Sequence, residues 1–85
     1  MTRWKGSLEI DGQLFDVTID YIKPTMTTRG EWTGYGFTDR ELETDTYDTN
    51  IGTITIQSVN SDSGRTFFEF KGNGKPKGKF AEDME

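Results

Sequence analysis

The dipeptide Asp11-Gly12 stands between two stretches of alternating apolar and polar residues, and no other feature restricts the fold of this chain as strongly. Before it, Trp4, Gly6, Leu8 and Ile10 alternate with Arg3, Lys5, Ser7 and Glu9. After it, Phe15, Val17, Ile19 and Tyr21 alternate with Leu14, Asp16, Thr18 and Asp20. A period of two marks half-buried strands. Asp-Gly tolerates the two positive φ angles that a type I′ hairpin turn demands. A two-residue turn pairs Ile10 with Gln13, Leu8 with Phe15, Gly6 with Val17, Lys5 with Thr18, Trp4 with Ile19 and Arg3 with Asp20. The large apolar groups of both strands then share one face. A slip of one residue would carry Phe15, Val17 and Ile19 to the polar face, so this register is strongly specified.

A second hairpin is expected from residues 51–59 and 65–71, joined by Asn60-Ser61-Asp62-Ser63-Gly64, which is turn chemistry throughout. Read as a five-residue loop, it pairs Val59 with Arg65, Ser58 with Thr66, Ile56 with Phe68 and Ile54 with Phe70. The outer face then carries Thr53, Thr55, Gln57, Phe67 and Glu69. Between the hairpins lies Gly30–Phe37, with Trp32, Gly34 and Gly36 on one face and Glu31, Thr33, Tyr35 and Phe37 on the other. Glycines inside a strand mark a bend or a close approach, and bends of this kind turn the corners of small closed sheets. Lys23-Pro24 ends the second strand, because proline cannot donate to a ladder, and Thr25–Arg29 reads as a polar connection. Thr38–Asn50 holds five acids and one arginine; it reads as a loop with a short edge strand at its threonines and Tyr47, where acidic side chains discourage aggregation.

No segment shows a sustained helical period. The expected fold is all-β: a small antiparallel barrel or strongly bent sheet of five to six strands, built from two hairpins around a central strand rich in glycine and aromatics. The expected domain is residues 1–72, followed by a flexible polar tail over 73–85. Hydrophobic residues make up 31% of the chain and aromatics 13%, so a few large rings must supply most of the buried area. The expected core is Trp4, Leu8, Ile10, Phe15, Val17, Ile19, Tyr21, Trp32, Ile54, Ile56, Phe68 and Phe70. In strand count alone this architecture resembles the SH3-like and OB-like small barrels; no motif in the chain assigns it to a family.

The chain has no cysteine and no histidine. Disulfides, Ser-His and Cys-His nucleophile pairs and zinc sites of ordinary composition are thereby excluded within one chain. The lack of disulfides favours an intracellular, cytoplasmic setting. No apolar run follows Met1-Thr2-Arg3-Trp4-Lys5, so no signal peptide is expected, and no apolar stretch nears the roughly 20 residues of a membrane span. Asp48-Thr49-Asn50-Ile51-Gly52 echoes the opening of a calcium loop, but Val59 stands where the closing Glu is required. Gly72-Asn73-Gly74-Lys75-Pro76 lacks the Ser or Thr of a phosphate loop. No catalytic residue, metal ligand or cofactor is therefore assigned, and an enzyme is not expected.

What remains is a binding surface. Tyr35, Phe37 and Phe67 fall opposite the core face, and Asp39, Glu41, Glu43, Asp45 and Tyr47 form an acidic segment beside them. These eight residues are the candidate interaction surface of a protein–protein interaction module or small regulator or inhibitor, with a protein partner or self-association. Single-stranded nucleic acid, stacked on the exposed rings beside Arg65, Lys71, Lys75, Lys77 and Lys79, is the alternative. The net charge of −5 disfavours it. A small ligand at a barrel mouth is the remaining class.

Overall fold

The computed structural model describes residues 2–27 and 30–84. The strands are β1 (Thr2–Ile10), β2 (Gln13–Ile22), β3 (Glu31–Thr38), β4 (Thr46–Thr49), β5 (Gly52–Asp62) and β6 (Arg65–Asn73), followed by a helix, α1 (Gly78–Met84). All six strands join one antiparallel sheet in the order β1-β2-β3-β6-β5-β4. The sheet curls into a half-barrel that brings β1 and β4, its two ends, towards each other. Strand β3 sits between the two hairpins, as its sequence position and its glycines suggest.

The first hairpin has the expected register from Arg3↔Asp20 to Ile10↔Gln13. Asp11 and Gly12 take φ of 51° and 80°, the left-handed pair of a type I′ turn. Trp32, Gly34 and Gly36 face inward and Tyr35 and Phe37 outward, also as expected. The inward glycines let rings lie flat on the strand: a Cβ at Gly34 would strike the ring of Phe70, and one at Gly36 would strike Phe68. Gly72 does the same for the indole of Trp32.

The second hairpin differs from its expected form. The turn is Ser63-Gly64 alone, with φ of 51° and 79°, and the ladder runs out to Asp62↔Arg65. Asn60, Ser61 and Asp62 are strand residues. The longer ladder gains the backbone rung Asp62↔Arg65 and a 3.0 Å hydrogen bond between the hydroxyls of Ser61 and Thr66. Two-residue turn geometry would place Ile56 opposite Lys71 and so on the wrong face. A bulge between Ile56 and Ser58 absorbs one residue, pairing Val59 with Phe68 outside it and Ile56 with Phe70 inside it. Gln57 is the residue left over, and it is exposed.

The expected flexible tail is also corrected. Residues 78–84 form α1, and Phe80 is fully buried in the core. Its ring centroid lies 5.0 Å from that of Trp4, 5.2 Å from Trp32 and 5.8 Å from Tyr21. A helix of two turns with one deeply buried side chain shows no period to read, and on its own it would not form, since isolated helices shorter than about 12–15 residues are marginal. Burial of the ring organises it. The core contains eleven of the twelve expected side chains, adds Ile51 and Phe80, and leaves Tyr21 half-buried at its margin. The short strand β4 lies on the sheet edge within the acidic segment, as its threonines suggest. The connection read over Thr25–Arg29 includes Thr28 and Arg29, which lie outside the described residues, as do Met1 and Glu85 at the ends of the expected domain and tail.

Candidate functional site

Antiparallel pairing of β3 with β6 sets Phe37 opposite Phe67 and Tyr35 opposite Glu69 on the outer face of the two central strands. The Phe67 ring lies 5.0 Å from Phe37 and 6.0 Å from Tyr35, both tilted, so the three rings form one strip. Rings at such separations attract one another beyond the area they cover. Phe37 remains 50% exposed. The guanidinium of Arg65, at the start of β6, stands 5.1 Å from the Phe37 ring centroid, within cation–π range.

Two shallow hollows flank the strip. One, of about 440 Å³, runs between Tyr35 and Phe37 and the polar row Lys5, Asp16 and Thr18. The other, of about 370 Å³, lies where Phe37 meets Leu14, Asp39, Arg40 and Arg65. Leu14 is 64% exposed and extends the apolar surface across β2. Neither Leu14 nor Arg65 belongs to the set chosen from sequence. The hairpin register already places Leu14 on the outer face, so that signal was present. Further along this face Arg3 Nε donates to Asp20 Oδ1 at 2.9 Å, and this bond raises the already high pKa of Arg3.

The structure divides the eight candidate residues. Tyr35, Phe37 and Phe67 come together, and Asp39 adjoins them at the end of β3. Glu41, Glu43 and Tyr47 instead line a separate hollow of about 300 Å³ with Ile10, Asp11 and Gln13, beside the first turn. There Leu42 and Tyr47 pack on the core and cap that end of the half-barrel. Tyr47 Oη donates to the Glu43 carbonyl at 3.1 Å. Its pKa is raised, chiefly by burial and then by Asp45 and Glu43.

Other acids of the segment hold the chain's own turns. Asp45 Oδ1 accepts from the Thr46 amide at 2.8 Å, and Asp48 Oδ1 accepts from Thr53 Oγ1 at 2.7 Å. Among the described residues no three of Asp, Glu, His and Cys converge as a metal group would require. Also among them, no helix is long and apolar enough to cross a membrane.

Comparison with protein-family models, with curated proteins and with solved structures finds no match to this chain.

Proposed function

We propose that this domain acts by binding, as a protein–protein interaction module or small regulator, and that the partner docks on the outer strip of Tyr35, Phe37 and Phe67. One observation carries the reading. Three aromatic rings lie together on the solvent side of the two central strands, while a separate buried core occupies the other side. Rings that the fold does not use are the residue type that supplies binding energy at interfaces. The acidic segment contributes Asp39 to the rim of this surface and has mainly local structural duties beyond it.

The test is capture from native lysate by the wild-type chain and by a Phe37→Thr, Phe67→Thr variant, with circular dichroism confirming that both are folded. The expected result is a protein retained by the wild type and lost by the variant. Equal retention by both, or none by the wild type, refutes the reading. Charge reversal at Asp39, Glu41, Glu43 and Asp45 is expected to weaken capture less than loss of the rings.

A single-stranded nucleic-acid ligand is the second reading, favoured by Arg65 stacked on Phe37 beside two further rings. It requires binding of an oligonucleotide at low salt that weakens steeply as salt rises. No binding at low salt removes it. The filled interior, with Phe80 seated among Trp4, Tyr21 and Trp32, weighs against a small ligand inside the barrel.

A further inference from the structure

Helix α1 is built against its own dipole. Lys79 stands in its first turn and Glu82 and Asp83 in its last, whereas a helix is stabilised by acids at its start and bases at its end. Its attachment rests on few groups. Phe80 enters the pocket of Trp4, Tyr21 and Trp32, and Trp4 Nε1 donates to Asp83 Oδ2 at 2.7 Å. Lys79 pairs with Asp83 at 3.3 Å within the helix.

The chain leading into it is pinned and then freed. Trp32 Nε1 donates to the Gly74 carbonyl at 3.0 Å, and the Lys77 amide donates to the Ile51 carbonyl at 2.9 Å. Gly78 follows at φ 67°, a left-handed angle, and opens the helix. It lies against the carbonyl of Asn50, whose side chain is bonded to Ser7 and Glu9. The other end of α1 reaches Trp4 through Asp83. The helix is thus held near Asn50 at its start and by the Trp4 indole towards its end.

Strand β1 is one edge of the sheet. In an antiparallel hairpin with a two-residue turn, Ile10 and Gln13 exchange hydrogen bonds, so the even-numbered residues of β1 bond to β2 and the odd ones turn their backbone groups away. The Asn50 bonds to Ser7 and Glu9 agree with that alternation. The outward N–H and C=O groups of Arg3 and Lys5 have no protein partner among the described residues. Arg3, Lys5 and Ser7 are exposed, and α1 holds β1 through the Trp4 side chain.

We infer that α1 is a hinged cover that opens as a unit about Gly78, baring the pocket of Trp4, Tyr21 and Trp32 while the sheet stays folded. The test is amide and indole hydrogen exchange followed by NMR on the whole chain, for the wild type and Asp83→Ala. In the wild type the amides of 81–84 and the Trp4 indole N–H are expected to share one opening constant, at least about 100-fold larger than that of Val17, Ile19 and Phe68, since sub-global units open at lower free energy than the core. D83A is expected to raise that shared constant about tenfold, the effect of losing a hydrogen bond to a charged group, and to leave the central strands unchanged. Exchange graded inward from Met84 with the Trp4 indole still protected would show fraying and overturn the inference. So would α1 amides exchanging at the rate of the central strands, or acceleration of the whole sheet by D83A.

Discussion

Asn50 Nδ2 donates to the carbonyl of Ser7 at 2.9 Å, across 43 residues of chain. Its Oδ1 accepts from the Glu9 amide at 2.7 Å. One side-chain amide thus meets the carbonyl of one β1 residue and the N–H two positions on, opposite Leu8, as the backbone of a neighbouring parallel strand would. This contact closes the seam between the two ends of the sheet where no backbone ladder joins β1 to β4.

Asn50→Ala removes both bonds and is expected to cost about 1–3 kcal/mol, given about 0.5–1.5 kcal/mol net for each. Asn50→Asp keeps the acceptor for Glu9 but sets a carboxylate against the Ser7 carbonyl, so it is expected to be no better than alanine. Urea denaturation of the three proteins measures both. A midpoint for N50D equal to the wild type would show that the donor to Ser7 contributes nothing.

Deletion of Gln57 separates the bulge from the rest of β5. Without it, Ile56↔Phe70 and Ser58↔Glu69 become neighbouring rungs of a regular ladder, and both apolar sets stay on the core face. The deletion variant is expected to fold, with a loss below about 2 kcal/mol from the altered strand curvature. Deletion of Thr55 instead shifts the inward set by one residue and is expected to abolish the cooperative transition. Near-ultraviolet circular dichroism with thermal melting distinguishes the two.

Gly72→Ala places a Cβ within the volume of the Trp32 indole. The buried ring cannot step aside while its Nε1 holds the Gly74 carbonyl at 3.0 Å. Overpacking of this kind costs about 1–3 kcal/mol or more. A fall in melting temperature of about 10 °C or more is expected, at about 4–8 °C per kcal/mol in a domain of this size. Scanning calorimetry reads it directly; an unchanged melting temperature would mean that the indole has another place to go.

Acid is expected to loosen α1. The hydrogen bond from Trp4 Nε1, helped by Lys79, lowers the pKa of Asp83. A lowered pKa in the fold means that the ionised form is favoured there. The stabilisation is therefore complete above the unfolded value, near pH 4, and is lost as pH falls through the folded value. Melting temperatures between pH 5 and 2 are expected to fall less steeply for Asp83→Asn than for the wild type. Identical slopes would show that Asp83 does not carry this dependence.

Much of the fold can be read locally. Alternation at 3–10 and 13–22, together with Asp11-Gly12, specifies the first hairpin to the residue, because turn stereochemistry and burial demand the same register. The faces of β3 follow from the same period, and with them the outward placement of Tyr35 and Phe37. The grouping of those rings with Phe67 needed more, since it depends on β6 and not β2 lying on the far side of β3.

Residues 60–64 are the opposite case. Asn, Ser and Asp suit a loop as well as an exposed strand end, and both readings keep Ile54, Ile56, Phe68 and Phe70 inward. Local chemistry does not separate them; the added pairing of Asp62 with Arg65, the packing of Val59 and a bulge that bends the strand do. The segment after β6 is further from local control still. Its polar composition and unfavourable charge order describe a chain with no structure of its own, and it is helical because the open end of a curled sheet, lined by Trp4, Tyr21 and Trp32, leaves a space that Phe80 fills. Local pattern decides which face a side chain takes, whereas long-range burial decides which faces meet, and α1 exists only through the second.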